Sequence, residues 1–222
     1  MKIIVINLRK FEERKSRIIQ QMKLFGIQNY EFFDAVDGDS LSDDFISTIY
    51  DDDLCKQIIG RSLTKYEIGI ALSHRNVYKK ILSEPNEKYI ILEDDAIFDY
   101  RFREFITEEF YIPNDVDILY LGYFIPDNLS KKNNLREKRK KEGHPLFTND
   151  GKKKFNGINF FKLKEGIPIY QIHGYMINKI GCEKVFNDND KIYITADDLF
   201  FHIKLNLYLP IESIIQNGSR IN

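Results

Sequence analysis

Glu93, Asp94 and Asp95 stand in a row directly after the apolar run Tyr89-Ile90-Ile91-Leu92. Three consecutive carboxylates at the end of a buried strand repel one another, and each prefers its charged, hydrated form. A bound divalent cation removes that repulsion, and hard oxygen ligands suit Mg²⁺ or Mn²⁺. The carboxyl ends of strands are also where open α/β sheets place their ligands. The plainer explanation is an acidic turn that caps the next helix. A second acidic pair, Asp197 and Asp198, lies within Ile194-Thr195-Ala196-Asp197-Asp198-Leu199-Phe200-Phe201. Acids flanked by apolar and aromatic residues are partly desolvated, which raises a carboxylate pKa and makes a better general base. A helix cap built from Thr195 and these acids is the simpler role, and capping does not exclude catalysis.

Other chemistry-bearing residues are ambiguous. His74 falls on the apolar face of a helix, where a lone histidine is more often a satisfied core residue than a ligand, and Ser73 beside it is equally open. His173-Gly174-Tyr175 opens a strand, and Gly174 offers either close approach of a substrate or a simple bend. His202, one helical turn beyond Asp198, is a weak candidate for a further metal ligand. Arg14 pairs with a phosphate or with its own helix neighbours. There is no G-x-x-x-x-G-K-[ST] and no G-x-G-x-x-G after a strand, so the standard phosphate-cradling loops are missing. A G-x-S-x-G elbow and a Cys/His cluster suited to structural zinc are missing too.

The elements that must position these residues follow from hydrophobic periodicity. Ile3-Ile4-Val5-Ile6 reads as a parallel strand buried on both faces. Glu12 to Phe25 follows as a helix with Ile18, Met22 and Phe25 on one stripe, and Gly26 as its C-cap. Glu31-Phe32-Phe33 is a second strand with a turn at Asp37-Gly38, which completes a β-α-β unit. Asp43 to Gly60 is helical or irregular, and Asp51-Asp52-Asp53 within it is a solvated turn. Thr64 to Leu82 is the clearest helix, opened by the capping box Thr64-Lys65-Tyr66-Glu67, with Ile70, His74, Val77 and Ile81 on one face. After the strand ending at Asp95 come a short helix near Tyr100 to Phe110 and a buried strand, Ile118-Leu119-Tyr120-Leu121. Order resumes at Tyr170 to Ile177, a helix from Gly181 to Phe186, a segment near Thr195 to Leu205, and the apolar runs Leu207-Tyr208-Leu209 and Ile214-Ile215. Alternating strands and helices predict a layered α/β sheet, and 222 residues fit one domain better than two.

Residues 126–165 break the pattern. They are polar and carry a basic cluster at Lys131, Lys132, Arg136, Lys138, Arg139, Lys140 and Lys141, then Lys152, Lys153 and Lys154. A solvated loop explains this; the functional reading is a flap for an anionic acceptor or a peripheral contact with an anionic membrane surface. With 33 Lys+Arg against 34 Asp+Glu, the net charge of −1 argues against a nucleic-acid-binding surface. Cys55 and Cys182 read as reduced thiols. Together with the absence of a leader pattern and of an apolar stretch near the ~20 residues needed to span a bilayer, they set the expectation of a cytoplasmic protein, at most peripheral on the inner membrane.

Taken together, these residues resemble the family-25 glycosyltransferases, which include bacterial lipooligosaccharide β-galactosyltransferases and collagen galactosyltransferases. Ile6-Asn7-Leu8 with Arg14 looks like the family's opening I-N-L…R, and Ala35-Val36-Asp37-Gly38 like its A-V-D-G. Glu67-Ile68-Gly69-Ile70-Ala71-Leu72-Ser73-His74 resembles E-x-G-C-x-x-S-H, with Ile70 where cysteine is common. Ile91 to Asp95 is similar to I-L-E-D-D, the counterpart of a D-x-D motif. Gly174 to Cys182 looks like G-Y-L-I-S-R-K-G-A, and Ala196-Asp197-Asp198-Leu199-Phe200 matches P-V-D-x-x-[MF], which puts the family's acid at Asp197. Thr195 replaces the usual proline, and residues 126–165 match nothing in the pattern.

The resemblance implies a GT-A-like, Rossmann-like fold with a mixed, mostly parallel sheet flanked by helices. It implies an inverting transfer of a hexose, galactose by default, from a UDP-sugar to a hydroxyl of a glycan or glycolipid. In that scheme Asp95 and Glu93 hold Mn²⁺ or Mg²⁺, Asn7, Leu8, Arg14, Asp37, Ser73, His74, Asp94 and Gly174 line the donor site, and Asp197, with Asp198 beside it, supplies the base. Two alternatives stay open: a metal-dependent nucleotidyltransferase, and a sugar- or nucleotide-binding module without turnover.

Overall fold

The computed structural model describes residues 1–107, 115–124, 147–155, 158–165, 167, 169–188, 190–210 and 212–218. Its strands are β1 (Lys2–Asn7), β2 (Tyr30–Asp34), β3 (Lys88–Glu93), β4 (Ala96–Phe98), β5 (Ile118–Phe124), β6 (Phe147–Phe155), β7 (Ile158–Leu163), β8 (Tyr170–Asn178), β9 (Leu207–Pro210) and β10 (Ile215–Asn217). Its helices are α1 (Glu12–Leu24), α2 (Asp43–Ile49), α3 (Asp52–Ile59), α4 (Lys65–Ser83), α5 (Tyr100–Thr107), α6 (Lys179–Phe186) and α7 (Ala196–His202), with a 3₁₀ turn at Gly38–Ser40.

Eight strands form one mixed sheet in the order β2-β1-β3-β8-β5-β9-β7-β6. The pairings make β1, β2, β3, β5, β6 and β9 run one way and β7 and β8 the other. The continuous apolar runs arise because both faces are covered. Alternate residues Ile3, Val5, Ile90, Leu92 and Met176 meet α1 and α5 through Ile18, Met22, Phe102 and Phe105. Ile4, Ile6, Tyr89, Ile91, Tyr175 and Ile177 form the opposite core with Val77, Tyr78 and Ile81 of α4 and with α6 and α7.

Local signals set the helix ends. Thr64 Oγ1 accepts the Glu67 amide at 3.2 Å, and Glu67 returns an acceptor to the Thr64 amide at 2.8 Å, so the capping box forms as expected. Gly26, at φ +71°, lies just past α1, whose C-cap is Phe25. Asp43 to Gly60 resolves into two helices, each opened by an N-cap side chain that accepts an amide of its first turn: Ser42 from Phe45 for α2 and Asp51 from Leu54 for α3, so the acidic stretch opens a helix and is not a turn.

Two further expectations need correction, and two others fall on residues outside those described. Residues 147–155 and 158–163 are not loop: β6 and β7 pair as an antiparallel ribbon at the sheet edge, with Lys152, Lys153 and Lys154 on β6. β6 is polar between Phe147 and Phe155, with Lys152 and Lys154 exposed, as suits the outermost strand of a sheet. The basic cluster from Lys131 to Lys141 and the end of the helix expected to reach Phe110 lie outside the described residues. Gly174 makes no bend; it lies inside β8, where a Cβ would stand 2.8 Å from both Ile215 Cδ1 and Leu92 Cδ2.

Candidate active site

The acidic strand end is assembled by sheet topology. β3 pairs with β1 in parallel, with Glu93 opposite Ile6, and with β8 antiparallel, with Leu92 opposite Gly174. The reversed β8 therefore begins where β3 ends, and His173 falls beside Glu93. Ligand atoms of Glu93, Asp95 and His173 lie within 4.8 Å of one another. His173 Nδ1 is 3.9 Å from both Glu93 Oε2 and Asp95 Oδ1, and the Asn217 amide nitrogen from β10 is 3.3 Å away. Burial would raise the Glu93 pKa, but His173 and His74 outweigh it and hold the carboxyl at about 2. Two carboxylates and an imidazole on one spot suit a divalent ion of the Mn²⁺ type better than a purely oxygen-ligated one. His173 was not among the ligands expected from sequence, because its proximity depends on β8 running backwards. His202 is not part of the cluster: it is exposed at the far end of α7, beside Phe201 on a separate cleft with Lys162 and Lys184.

Asp94 points elsewhere. It is buried, accepts from Asn7 Nδ2 at 2.8 Å, and pairs with Arg14 at 3.0 Å. These three residues lock β1, the start of α1 and the β3 turn together. Arg14 and Asp94, but not the buried Asn7, also line a cleft of about 100 Å³ with Leu8, Phe11, Tyr66, Ser73, His74 and Asp95. The Arg14 guanidinium lies 4.7 Å from the Phe11 ring centroid. Asp37 is not on this cleft; its carboxylate turns to Lys10 at 2.6 Å. Ser73 is an internal joint, accepting from the Val36 amide at 2.8 Å and donating to the Gly69 carbonyl at 2.6 Å. The glycines of the two adjoining motifs allow this joint. A Cβ on Gly38 would stand 2.0 Å from the Lys65 carbonyl oxygen, and one on Gly69 would stand 2.8 Å from the Gly38 nitrogen.

A larger cleft of about 650 Å³ continues from the same acids. It is lined by Glu93, Asp95 and His173 on one side and by Asp197, Gln171 and Asn217 among others, with Tyr66 shared by both clefts. Asp197 accepts the Gln171 amide at 2.7 Å and the Ile172 amide at 3.4 Å. Gln171 adopts φ +53°, the one positive φ among the described non-glycine residues, which aims its own N–H and the next at the carboxylate. Burial, reinforced by the negative charge of Glu93, raises the Asp197 pKa to about 6 against the lowering effect of those two amides. Asp198 is tied to the helix cap instead: Thr195, the N-cap residue of α7, donates its Oγ1 proton to the Asp198 carboxylate at 2.7 Å and accepts the Asp198 amide at 3.1 Å. Both acids thus line the cleft, one held by two backbone amides and the other tied to the N-cap residue Thr195. Tyr66, Phe11, Gln171 and Asn217 went unnoticed in the sequence; an aromatic in the first turn of α4, 63% exposed, was the one local signal.

The α/β fold thus sets paired acids at a strand end opposite a desolvated carboxylate across one cleft. The family model described as glycosyltransferase family 25 (LPS biosynthesis protein) matches residues 1–200, and the chain belongs to that family. Human procollagen galactosyltransferase 2 is 24% identical over 213 residues, covering 95% of this chain and 31% of the relative. A glycosyltransferase 25 family member of Aedes aegypti is 34% identical over 113 residues, 48% of this chain and 18% of the relative. The inactive glycosyltransferase 25 family member 3 of mouse is 28% identical over 127 residues, 54% and 21% respectively. The chain spans about a third or less of the length of the curated relatives it matches. Among solved structures, an active-site mutant of LgtC aligns with a TM-score of 0.41 and 10% identity, covering 94% of this chain and 72% of that one.

Proposed function

We propose that this glycosyltransferase moves a hexose, galactose by the naming of its relatives, from a UDP-sugar to a hydroxyl of a surface glycan such as lipooligosaccharide, with inversion at the anomeric carbon. The observation that carries this reading is the placement of Asp197 across one cleft from Glu93, Asp95 and His173. In-line displacement needs a proton acceptor on one side of the anomeric carbon and charge stabilisation on the other. Glu93, Asp95 and His173 would hold Mn²⁺, which supplies positive charge to the diphosphate of the departing UDP. The smaller cleft would take the nucleotide, with Phe11 and Tyr66 offering ring faces and Arg14 a cation. Asp197 accepts the proton of the acceptor hydroxyl as its oxygen bonds to the anomeric carbon. The bond from that carbon to the phosphate oxygen breaks, and UDP leaves with the electron pair. A base held by two amides and desolvated by the cleft wall is positioned to act without a covalent intermediate.

The test is UDP release from a panel of UDP-sugars, with Mn²⁺ and with EDTA, by wild type and by Asp197→Asn. We expect slow hydrolysis of one donor, lost in EDTA, and a fall of about 10²–10⁴-fold in Asp197→Asn with UDP affinity nearly unchanged. Normal turnover by the variant would reject the base assignment. Release of pyrophosphate would identify a nucleotidyltransferase. Tight UDP binding without turnover on any acceptor would favour a non-catalytic module, the class suggested by the inactive mouse relative.

A further inference from the structure

We propose that Tyr78, Tyr175 and His74 form a one-way hydrogen-bond relay that keeps the His74 ring proton on Nε2, facing Glu93, and so holds that carboxylate in place for a divalent cation. This rests on the metal-site reading above and makes His74 a positioning residue, not a contact to the donor. All three side chains are buried: Tyr175 is 1% exposed, Tyr78 2% and His74 5%. The Tyr78 and Tyr175 hydroxyls are 2.7 Å apart, Tyr175 Oη is 2.9 Å from His74 Nδ1, and His74 Nε2 is 3.6 Å from Glu93 Oε1. The elements explain the meeting. His74 and Tyr78 are one turn apart on α4, and Tyr175 lies on the face of β8 that packs against that helix.

The direction follows from what each group has to offer. An ionised carboxylate accepts hydrogen bonds and donates none. The His74 nitrogen facing Glu93 is therefore favoured as the one that carries the proton, and Nδ1 becomes the acceptor. Tyr175 then donates to Nδ1, and its oxygen accepts from Tyr78. Run in the opposite sense, the chain would leave the Tyr78 proton in an apolar core with no other hydrogen-bond partner among the described residues. A buried donor without a partner is disfavoured. At 3.6 Å the His74 N–H steers the carboxylate by its dipole and leaves the oxygen available to a cation. His74 itself is not one of the three clustered ligand residues. Groups that orient ligands in this way typically change metal affinity by about 10–100-fold when removed.

The relay is read directly by long-range ¹H–¹⁵N spectra of the imidazoles in metal-free protein. The wild type should show His74 with its proton on Nε2, and Tyr175→Phe should shift it toward the other tautomer. Mn²⁺ titration followed by electron paramagnetic resonance should show binding weakened about tenfold in Tyr175→Phe. In a His74→Gln background, where the amide offers an N–H to Glu93 without help, adding Tyr175→Phe should cause no further loss. Tyr78→Phe, at the far end, should shift the same tautomer and serves if Tyr175→Phe does not fold. A wild-type His74 protonated on Nδ1, or a folded Tyr175→Phe with unchanged Mn²⁺ affinity, would overturn the relay. A wild type that binds no Mn²⁺ would overturn the metal centre itself, while the tautomer still reports on the relay separately.

Discussion

At Asp197, burial and the charge of Glu93 act in the same direction, and both favour the protonated acid. This gives a pH dependence with a defined sign. A general base must be ionised, so turnover should fall about tenfold per pH unit below pH 6, as a kcat/KM profile would show. Stability should move oppositely. The folded-state pKa is raised from 3.8 to about 6, so this group's contribution to stability is fully present below pH 3.8 and lost as pH rises through 6. In EDTA, Asp197→Asn should therefore be more stable than wild type at pH 8, by at most about 3 kcal/mol, and melt at a higher temperature. The gain should shrink toward pH 4. Melting curves at the two pH values check this, and a variant that is less stable at pH 8 would show that the two backbone amides outweigh desolvation.

At the scale of elements, the loop Ala35–Gly38 and the helix α4 are fitted together by absent side chains. Gly38 and Gly69 let the two backbones touch, and Ser73 ties the loop to the helix. Gly38→Ala forces a Cβ to within 2.0 Å of a backbone oxygen, which no rotamer change relieves. We expect a loss of about 1–3 kcal/mol by denaturant titration, with weaker UDP binding because Tyr66 rides on the same helix start. Thr64→Ala, which removes only the cap, should cost about 1 kcal/mol and leave UDP binding alone. Equal effects of the two variants on UDP binding would argue against a shared loop–helix wall for the cleft.

Across the whole molecule, the cleft joins residues from distant parts of the chain, among them the end of β3, the end of β5, the start of β8, the start of α7, the first turn of α4 and the end of β10. A ligand bridging them stabilises the folded state by mass action. Mn²⁺ at 100 times its Kd should add about 2.7 kcal/mol to stability, visible as a rise in melting temperature that EDTA reverses. Asp95→Ala should abolish that rise. A rise that persists in Asp95→Ala would place the cation elsewhere.

Much of this was legible in the chain itself. Continuous apolar runs marked the buried strands, the capping box at Thr64 located α4, and the acids at Glu93 and Asp95 and at Asp197 stood out because burying carboxylates is costly. Order and spacing of short motifs pointed to the family. What the chain order could not supply were relations across the sheet. His173 joins Glu93 because β8 runs antiparallel to β3, and Asp94 leaves the metal cluster because Asn7 and Arg14, about eighty residues earlier, claim it. Asp197 and Asp198 are equivalent as letters. They part roles because one carboxylate meets the amides of a left-handed turn at Gln171 and the other meets Thr195. Periodicity sets which elements form, since it is a local balance of burial and hydrogen bonding. Which carboxylate loses its water depends on neighbours far away in sequence, and only packing decides that.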